Sequence, residues 1–395
     1  MSPLDCHIHS ELSGRGGFMK TITLMIFTCL LVVGIYVWSV GRPLTLDKDL
    51  HLPFAMSEEY KSMLYHASMA PSGHNTQPWK VIYDARSHDF TLFLNRDREL
   101  AQVDPENREA FISLGAFLEN WQQSAQAYGY TPKMSILPTP GAQMEIAHVT
   151  FNKTSHIPAD SEQRLARMTV RHTDKRNYEP HNIPPTTIHT LLERNGPWLR
   201  YYPKGTPGFA WLSRNTVEAM KTQGEHEGKR RELSQWIRFS NTEARQARDG
   251  LPAEQLGMKG PLKAAFYTFY NRQDTTTPSF ARESVKLAEQ QVGSAAGFFV
   301  ITGAGDFQGI IRAGMHFERF WLDAVELGIS LHPMSQILEE KPFSDDVMKA
   351  LNLNAPVQMI VRAGITSNYG ENNGIRRNIS RFTSINESSG GSSVP

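Results

Sequence analysis

The stretch Ala70-Pro-Ser-Gly-His-Asn-Thr-Gln-Pro-Trp79 decides how the rest of the chain is read. It joins turn formers to small residues that let backbone approach a ligand, and to amide side chains that both donate and accept. A capped helix end followed by a turn is the plain reading, and a ligand-lining loop is the other. Upstream, Tyr60, Met63, Leu64 and Ala67 recur at helical spacing from Ser57 onward. Downstream, Lys80–Tyr83 and Phe90–Leu94 read as two strands joined by the polar 84–89 segment.

Asp104-Pro-Glu-Asn-Arg-Glu-Ala-Phe then opens a helix with proline in its first turn. Its inward face carries Phe111, Leu114, Gly115, Leu118, Trp121 and Ala125, and it stops at Gly129. Strands are expected at Lys133–Leu137 and Glu145–Phe151, then helices at Ser161–Met168 and Pro184–Arg194 and a strand at Trp198–Tyr202. Charged helical segments fill 209–246, before the break at Asp249-Gly-Leu-Pro252. Phe298–Thr302 and Pro356–Ala363 read as strands flanking a long helix at Gly309–Gly328. Helix and strand mix without βαβ alternation, which predicts an α+β fold.

Two further polar clusters stand out. Arg171-His-Thr-Asp-Lys-Arg176 packs three cations and a hydroxyl into six residues. It reads as a phosphate clamp or as a solvated charged turn, since arginine offers a planar fork and threonine another donor. Gly374-Ile-Arg-Arg377 is, alone, a basic loop. Gly303-Ala-Gly305-Asp-Phe-Gln-Gly309 imitates a dinucleotide fingerprint, but its third glycine falls one place late and no acidic partner follows. Glu318 and Asp323, on the same long helix, read as structural partners of basic neighbours rather than an acid/base pair.

Composition narrows the classes. With 41 basic and 40 acidic residues the net charge is +1, so no global field recruits nucleic acid. The 40% apolar and 10% aromatic content is ample for a large core. The only cysteines, Cys6 and Cys29, lie outside the globular part, which excludes a disulfide scaffold or thiolate metal site there. The 14 histidines show no metal-ligand spacing; Asp5-Cys-His-Ile-His-Ser10 stands isolated and reads as accidental.

Ile22 to Val40 is uncharged and about 19 residues long, enough to span a bilayer. Tyr36 and Trp38 stand where interface anchors would, and the exit Tyr-Val-Trp-Ser-Val-Gly41 is a poor cleavage site. The expectation is an uncleaved single-pass anchor in the inner membrane, with the large domain periplasmic or otherwise extracytoplasmic. Residues 1–21 form a leader, with a second possible start at Met19.

Taken together, the motifs resemble the nitroreductase superfamily. Pro71-Ser-Gly-His-Asn-Thr-Gln-Pro-Trp79 is similar to its Pro-Ser-x-x-Asn-x-Gln-Pro-Trp segment, and Arg171-His-Thr-Asp-Lys175 to its Arg-x-Ser/Thr-x-Arg/Lys segment. The usual order of the two is reversed here. That reversal, with Asp104, Arg108, Ile112–Asn120, Glu232, Trp236–Arg238, Asp249-Gly250, Ala313-Gly314 and Glu318-Arg319, resembles the Acg subfamily known from mycobacteria and many other bacteria. The resemblance covers roughly 57–380 and implies a nitroreductase-like FMN-binding fold of two tandem half-folds, an intramolecular pseudo-dimer preceded by one transmembrane helix. The implied halves are 57–155 and 156–382, with a lid insertion at about 209–250 and a disordered tail at 383–395. Asn195-Gly-Pro-Trp198 would be a remnant of the second half's Pro-Ser motif.

It further implies one FMN per chain and a small aromatic or quinone-like acceptor, in a monomeric soluble domain. Arg171, His172, Thr173 and Lys175 would hold the phosphate, with Arg376 or Arg377 completing the clamp and Arg176 matching a further basic position. Pro71, Ser72, Gly73, Asn75 and Gln77 would line the isoalloxazine, and Pro333, Met334 and Ser335 would pass its N5 edge. The activity implied is reduction of nitroaromatic or quinone-type acceptors; the alternative is flavin storage beneath a closed lid.

Overall fold

The computed structural model describes residues 3–45, 47–154 and 156–386, with side chains described from residue 21 onward. The side chains of the isolated His-x-His stretch, and residues 387–395 of the expected tail, lie outside the described residues. A helix runs over Pro3–Gly41, and its Thr21–Gly41 part is long and apolar enough to cross a membrane. Residues 21–36 of that stretch are exposed, and only its end at Gly41 is buried against the protein.

Among the described residues nine strands form two sheets, eight of them in two antiparallel sets of four. The first holds β1 (Trp79–Asp84), β2 (Asp89–Leu94), β3 (Tyr130–Ile136) and β4 (Glu145–Lys153); the second holds β5 (Leu199–Pro203), β6 (Gly297–Thr302), β7 (Ser330–Pro333) and β8 (Val357–Gly364). The spatial orders are β3-β4-β2-β1 and β7-β8-β6-β5, all antiparallel. One pattern therefore occurs twice, each time entered by a helix and a short 3-10 turn: Glu58–Ala67 then Gly73–Asn75, and Pro185–Asn195 then Gly196–Trp198. The tandem halves are visible in the topology itself. The Gly303–Gly309 stretch leads out of an antiparallel strand, so no parallel βαβ unit exists there.

Two boundaries differ from expectation. The insertion occupies the whole β5–β6 connection, residues 204–296, where β1–β2 needs only 85–88. Its Pro207–Glu225 and Pro278–Ser294 helices cover the outer face of the second sheet. That coverage is why every residue of β6 and β8 is buried, while β1 alternates buried with exposed. Second, Thr383–Ile385 is not tail but β9, which pairs parallel with β1. The C-terminal arm thus leaves the second sheet at β8 and ends on the edge of the first.

The halves join through two long helices, Arg108–Ala127 and Phe307–Glu326. Their backbones meet at glycine: a Cβ on Gly115 would stand 2.0 Å from the Ile311 carbonyl oxygen, and one on Gly314 2.1 Å from that of Ile112. The contact is reciprocal, residue for residue, as in a two-fold interface. The same correspondence aligns Glu119 with Glu318, both buried. Glu119 accepts a bidentate pair from Arg319 at 2.9 and 2.8 Å, whereas Glu318 faces Arg171. The pseudo-symmetry is broken there, on the side where the Arg171 segment arrives.

Candidate functional site

The Pro71–Gln77 turn is held in a costly backbone conformation. His74, Asn75 and Gln77 take φ of 47, 54 and 53°, a left-handed region that non-glycine residues avoid. The turn closes on itself, because Ser72 O accepts from Asn75 N at 2.9 Å and Ser72 Oγ from Gln77 N at 2.9 Å. Its amides reach outward. Asn75 Nδ2 donates to Gly250 O (3.0 Å) and Ile375 O (3.1 Å), and Gln77 Nε2 to Arg248 O (2.9 Å). Gln77 Oε1 accepts from Arg377 N at 2.8 Å, and the side chain is 0% exposed. Asn75 and Gln77 were expected to line a flavin ring; their amides instead bind the insertion and the C-terminal arm to this turn.

Arg376 and Arg377 differ from expectation in the same way. Arg376 Nε donates to Ser68 O (2.7 Å), and its Nη2 to Met69 O (3.0 Å) and Ala70 O (3.3 Å), which caps the carbonyl end of the Glu58–Ala67 helix. Arg377 Nη2 donates to Gln77 O (2.7 Å) and Trp79 O (2.8 Å). Burial pushes both down to about 9, with Arg171 adding to the effect on Arg376 and Arg98 on Arg377. With these donors on carbonyls of the first half, both arginines staple the arm to it.

The Arg171 segment meets this turn from the second half. Arg171 donates to the same Met69 carbonyl that Arg376 uses, and its guanidinium lies 4.6 Å from the Trp321 ring. Its Nε stands 3.0 Å from Glu318 Oε1, but the N–H is not aimed at that oxygen, so the contact is a charge pair without an aligned hydrogen bond. Burial raises Glu318 to about 7, against the opposing pull of Arg171. The sequence reading of Glu318 as a partner of basic neighbours agrees with this geometry. Asp323, 3.6 Å from Arg194, behaves likewise.

His172 is half-buried, its Nδ1 2.9 Å from Val170 O and its ring against Tyr369, while Thr173 is exposed. Arg176 pairs with Asp174 at 2.6 Å and holds the arm through Asn368 O and Tyr369 O. Lys175 is different. It is half-buried in a recess, lowered to about 8 by burial and then by Arg362, and no carboxylate pairs with it among the described residues. Burial, then Lys175, pushes His74 down to about 4, and its Nδ1 has no hydrogen-bond partner. His332 is held well below its usual range by burial, Arg362 and Lys175.

Arg362 Nε lies 3.0 Å from His332 Nδ1, and Lys175 acts electrostatically on both His332 and the first half's His74. Pro333, Met334 and Ser335 continue from His332. Met334 is core and its N–H donates to Ile360 O at 2.8 Å; Ser335 is buried, its Oγ 3.3 Å from Ile360 N and 3.6 Å from Met359 S. Pro71, Ser72 and Gly73 are half-buried.

Three residues of this site escaped the sequence reading. Arg362 is wholly buried, donates to Asp174 O (3.1 Å), Arg176 O (2.8 Å), Gln291 O (2.9 Å) and His332 Nδ1 (3.0 Å), and lies 4.1 Å from the Tyr178 ring. It props the Lys175 loop from beneath. Its signal was a single charge in an otherwise uncharged, mostly apolar strand, Val-Gln-Met-Ile-Val-Arg362-Ala-Gly. His74 and His332 carried no signal beyond their neighbours. Around the recess Arg171, Lys175, Arg176, Arg362 and Arg376 face, among the described residues, Asp174 and Glu318 as carboxylates. That imbalance suits a dianion. A separate surface cavity of about 540 Å³, lined by Glu119, Arg164 and Arg319 among others, shares no residue with this cluster. Among the described residues no group of three or more His, Cys, Asp or Glu could hold a metal.

The insertion closes over the turn. Gly250 exchanges backbone and side-chain hydrogen bonds with Asn75; its φ of 72° and the 2.2 Å approach of Trp236 O to where a Cβ would stand both call for glycine. Asp249 joins Arg238 of the insertion to Arg98 of the first half, 2.9 Å away. Glu232 accepts from Gln102 N (2.9 Å) and Val103 N (3.0 Å).

The chain is similar to several curated proteins. It is 33% identical over 115 residues to the putative NAD(P)H nitroreductase acg of Mycobacterium tuberculosis, covering 29% of this chain and 34% of that one. The match thus spans about a third of the length of the curated relatives first matched. Longer matches are 24% identity to the probable NAD(P)H nitroreductase PigM of Serratia (69% of this chain, 79% of that one) and 25% to a second putative NAD(P)H nitroreductase of M. tuberculosis (80% and 87%). No family model matches. Among solved structures, the FMN-dependent nitroreductase NfnB of Mycobacterium smegmatis in complex with NADPH superposes with a TM-score of 0.37 at 16% identity, covering 57% of this chain and 98% of that one. A putative nitroreductase of Anabaena variabilis gives 0.36 at 12% (83% and 94%). At such scores superposition carries no argument, and the repeated sheet order stands on its own.

Proposed function

Because this chain is a relative of proteins named NAD(P)H nitroreductase, acg and PigM among them, we propose that it binds one FMN where its halves meet. It uses that flavin to reduce nitroaromatic or quinone-type acceptors, tethered to a membrane by its Thr21–Gly41 helix. The observation that carries this reading is Lys175, an ammonium with no carboxylate partner among the described residues, in a cationic recess built from both halves. Lys175 would hold the phosphate, with only the positive charge of Arg171 and Arg362 behind it; the Pro71–Gln77 turn and Pro333–Ser335 would form the two walls beside the ring. Bound FMN would supply the electron transfer, and the chain supplies position, charge and exclusion of water. No side-chain acid or base is required. Both walls come from one chain, so the working unit is a monomer.

Lys175 gives this reading a pH dependence. Its ammonium form attracts phosphate and predominates below about 8. Affinity for FMN should therefore fall as pH rises, by about tenfold between pH 7 and 9, since one unit above the pKa leaves roughly a tenth of the cation. Titration by flavin fluorescence measures it, and a flat profile in wild type would remove Lys175 from the phosphate site.

A second reading, FMN storage or sequestration, is favoured by the clasped insertion. Outside the cytoplasm NAD(P)H is not normally at hand, which also favours storage or another electron donor. The Asp249→Asn variant should release flavin about tenfold faster, because a latch held by Arg98 and Arg238 opens locally at small cost. Stopped-flow fluorescence reads this rate; an unchanged rate would mean that the insertion is not a lid. Anaerobic addition of NADPH to the flavin-loaded full chain separates the two readings. Bleaching within seconds supports a reductase, and none supports storage.

A further inference from the structure

The Gly260–Phe269 helix carries an apolar face that no other described residue covers. Leu262 is 60% exposed, Phe269 77% and the following Tyr270 47%, whereas Ala264 and Phe266 on the other side are buried, Phe266 packing with Ile237 and Ala253. This helix lies against the outer end of the Pro3–Gly41 helix. A Cβ on Gly41 would meet Gly260 O at 2.7 Å, and Tyr36 Oη is 2.9 Å from Thr268 Oγ1. The two contacts fix its direction: it starts at the exit of the apolar segment and runs back along it.

Tyr36 lies five residues before Gly41, so Thr268 sits about 7.5 Å below the exit at 1.5 Å rise per residue. Phe269 and Tyr270 therefore stand level with the apolar run Ile22–Val40, not above it.

A buried clamp sets this geometry. Lys263 and Glu254, 0% and 1% exposed, pair with each other. Lys263 Nζ donates to Arg42 O at 2.8 Å, and Glu254 Oε1 accepts from Leu44 N at 2.8 Å. Nearby, the Arg42 guanidinium stacks 3.4 Å over Trp38, and Lys259 is exposed beside the helix start. Aromatic rings beside basic residues at the end of an apolar span suit the headgroup boundary of a bilayer.

We propose that Gly260–Tyr270 is a second membrane contact, a short wedge whose Leu262, Phe269 and Tyr270 side chains enter the lipid at the headgroup–acyl boundary beside the anchor. Its partner is the bilayer of the leaflet from which the chain emerges. Three side chains add little to the hold of a spanning helix, and what the wedge adds is orientation. Through the clamp, and through Leu44 packing on Ala244 and Ile375, the insertion and the Asn75–Ile375 contact keep a fixed attitude to the membrane. The inference rests on the reading of Thr21–Gly41 as an anchor.

The test uses the full chain with one cysteine at a time, labelled with an environment-sensitive fluorophore in detergent and reconstituted into phosphatidylcholine–phosphatidylglycerol vesicles. The label sites are native Cys29 (with Cys6→Ser), Leu262→Cys, Phe269→Cys and the solvent-exposed His189→Cys, the last three with Cys6→Ser and Cys29→Ser. Nitroxide lipids should quench Cys29 deeply and positions 262 and 269 at shallow depth. Aqueous iodide should quench 262 and 269 at least about threefold less than 189. If iodide reaches 262 and 269 as freely as 189 while Cys29 stays lipid-quenched, the wedge is wrong and the anchor stands. If Cys29 also escapes lipid quenching, the anchor fails and the wedge falls with it. Both replaced side chains face outward, so neither change disturbs the core.

Discussion

The Arg171→Ala variant is expected to lose its flavin and to be destabilised by about 3–5 kcal/mol at pH 8, the cost of leaving a buried carboxylate without its cation. Arg171 joins Glu318, the Met69 carbonyl and the Trp321 ring, so it positions the Lys175 loop against the first half. The pH dependence identifies the cause. Glu318 is raised to about 7, so between 4.5 and 7 the folded state holds a proton that the unfolded state has released. Its contribution to stability therefore falls as pH rises through that window. In Arg171→Ala the loss should be large at pH 8 and much smaller at pH 5, where Glu318 is protonated. The Arg171→Met/Glu318→Gln double variant should regain most of the stability and still not retain FMN. Denaturant unfolding of the full chain in detergent, with flavin content by absorbance, gives both readings. Normal flavin occupancy in Arg171→Ala would refute its role.

The second large effect lies where the halves join. A valine at Gly115 would press its Cβ to 2.0 Å from Ile311 O and 2.9 Å from Gly314 Cα, both backbone atoms that cannot move aside. The central helices would have to separate, at a cost of about 3 kcal/mol or more. Gly115→Val and Gly314→Val should therefore reach the membrane fraction poorly and bind no flavin. Gly293→Ala is the contrast: its Cβ meets open space in the last turn of the Pro278–Ser294 helix. That change should stabilise by about 0.4–1 kcal/mol, chiefly by restricting the unfolded chain. Wild-type unfolding in Gly115→Val would dissolve the argument that the pseudo-dimer depends on this close approach.

The sequence was most legible where local pattern and tertiary role coincide. The alternation Trp79-Lys-Val-Ile-Tyr83 and the unbroken Phe298-Phe-Val-Ile-Thr302 announce a half-solvated strand and a doubly covered one, and β1 and β6 are those. β9 was not legible, because Thr383-Ser-Ile385 forms a strand only when the arm brings it to the edge of β1. β7, four residues ending in proline, has no run long enough to declare itself. The Gly260–Phe269 and Pro278–Ser294 helices passed unread, since their apolar faces answer to partners far away in sequence.

At the site, clustering of cations drew attention to Arg171–Arg176. Residue type could not say which cation would be free. Arg376 and Arg377 fitted a clamp by type, yet their donors are taken by carbonyls from Ser68 to Trp79. Lys175 is left over because Arg362, from a strand nearly 190 residues later, fills the space beneath it. That division of labour is set by the meeting of the two sheets.

The absorbance of the purified full chain tests the central claim most directly. After isolation in detergent at pH 7 and dialysis against excess FMN, the account predicts a bound yellow flavin at one equivalent per chain. It further predicts near-complete loss of that flavin in Lys175→Gln, with the fold intact by circular dichroism. A chain that stays colourless, or a Lys175→Gln variant that keeps its flavin, would contradict it.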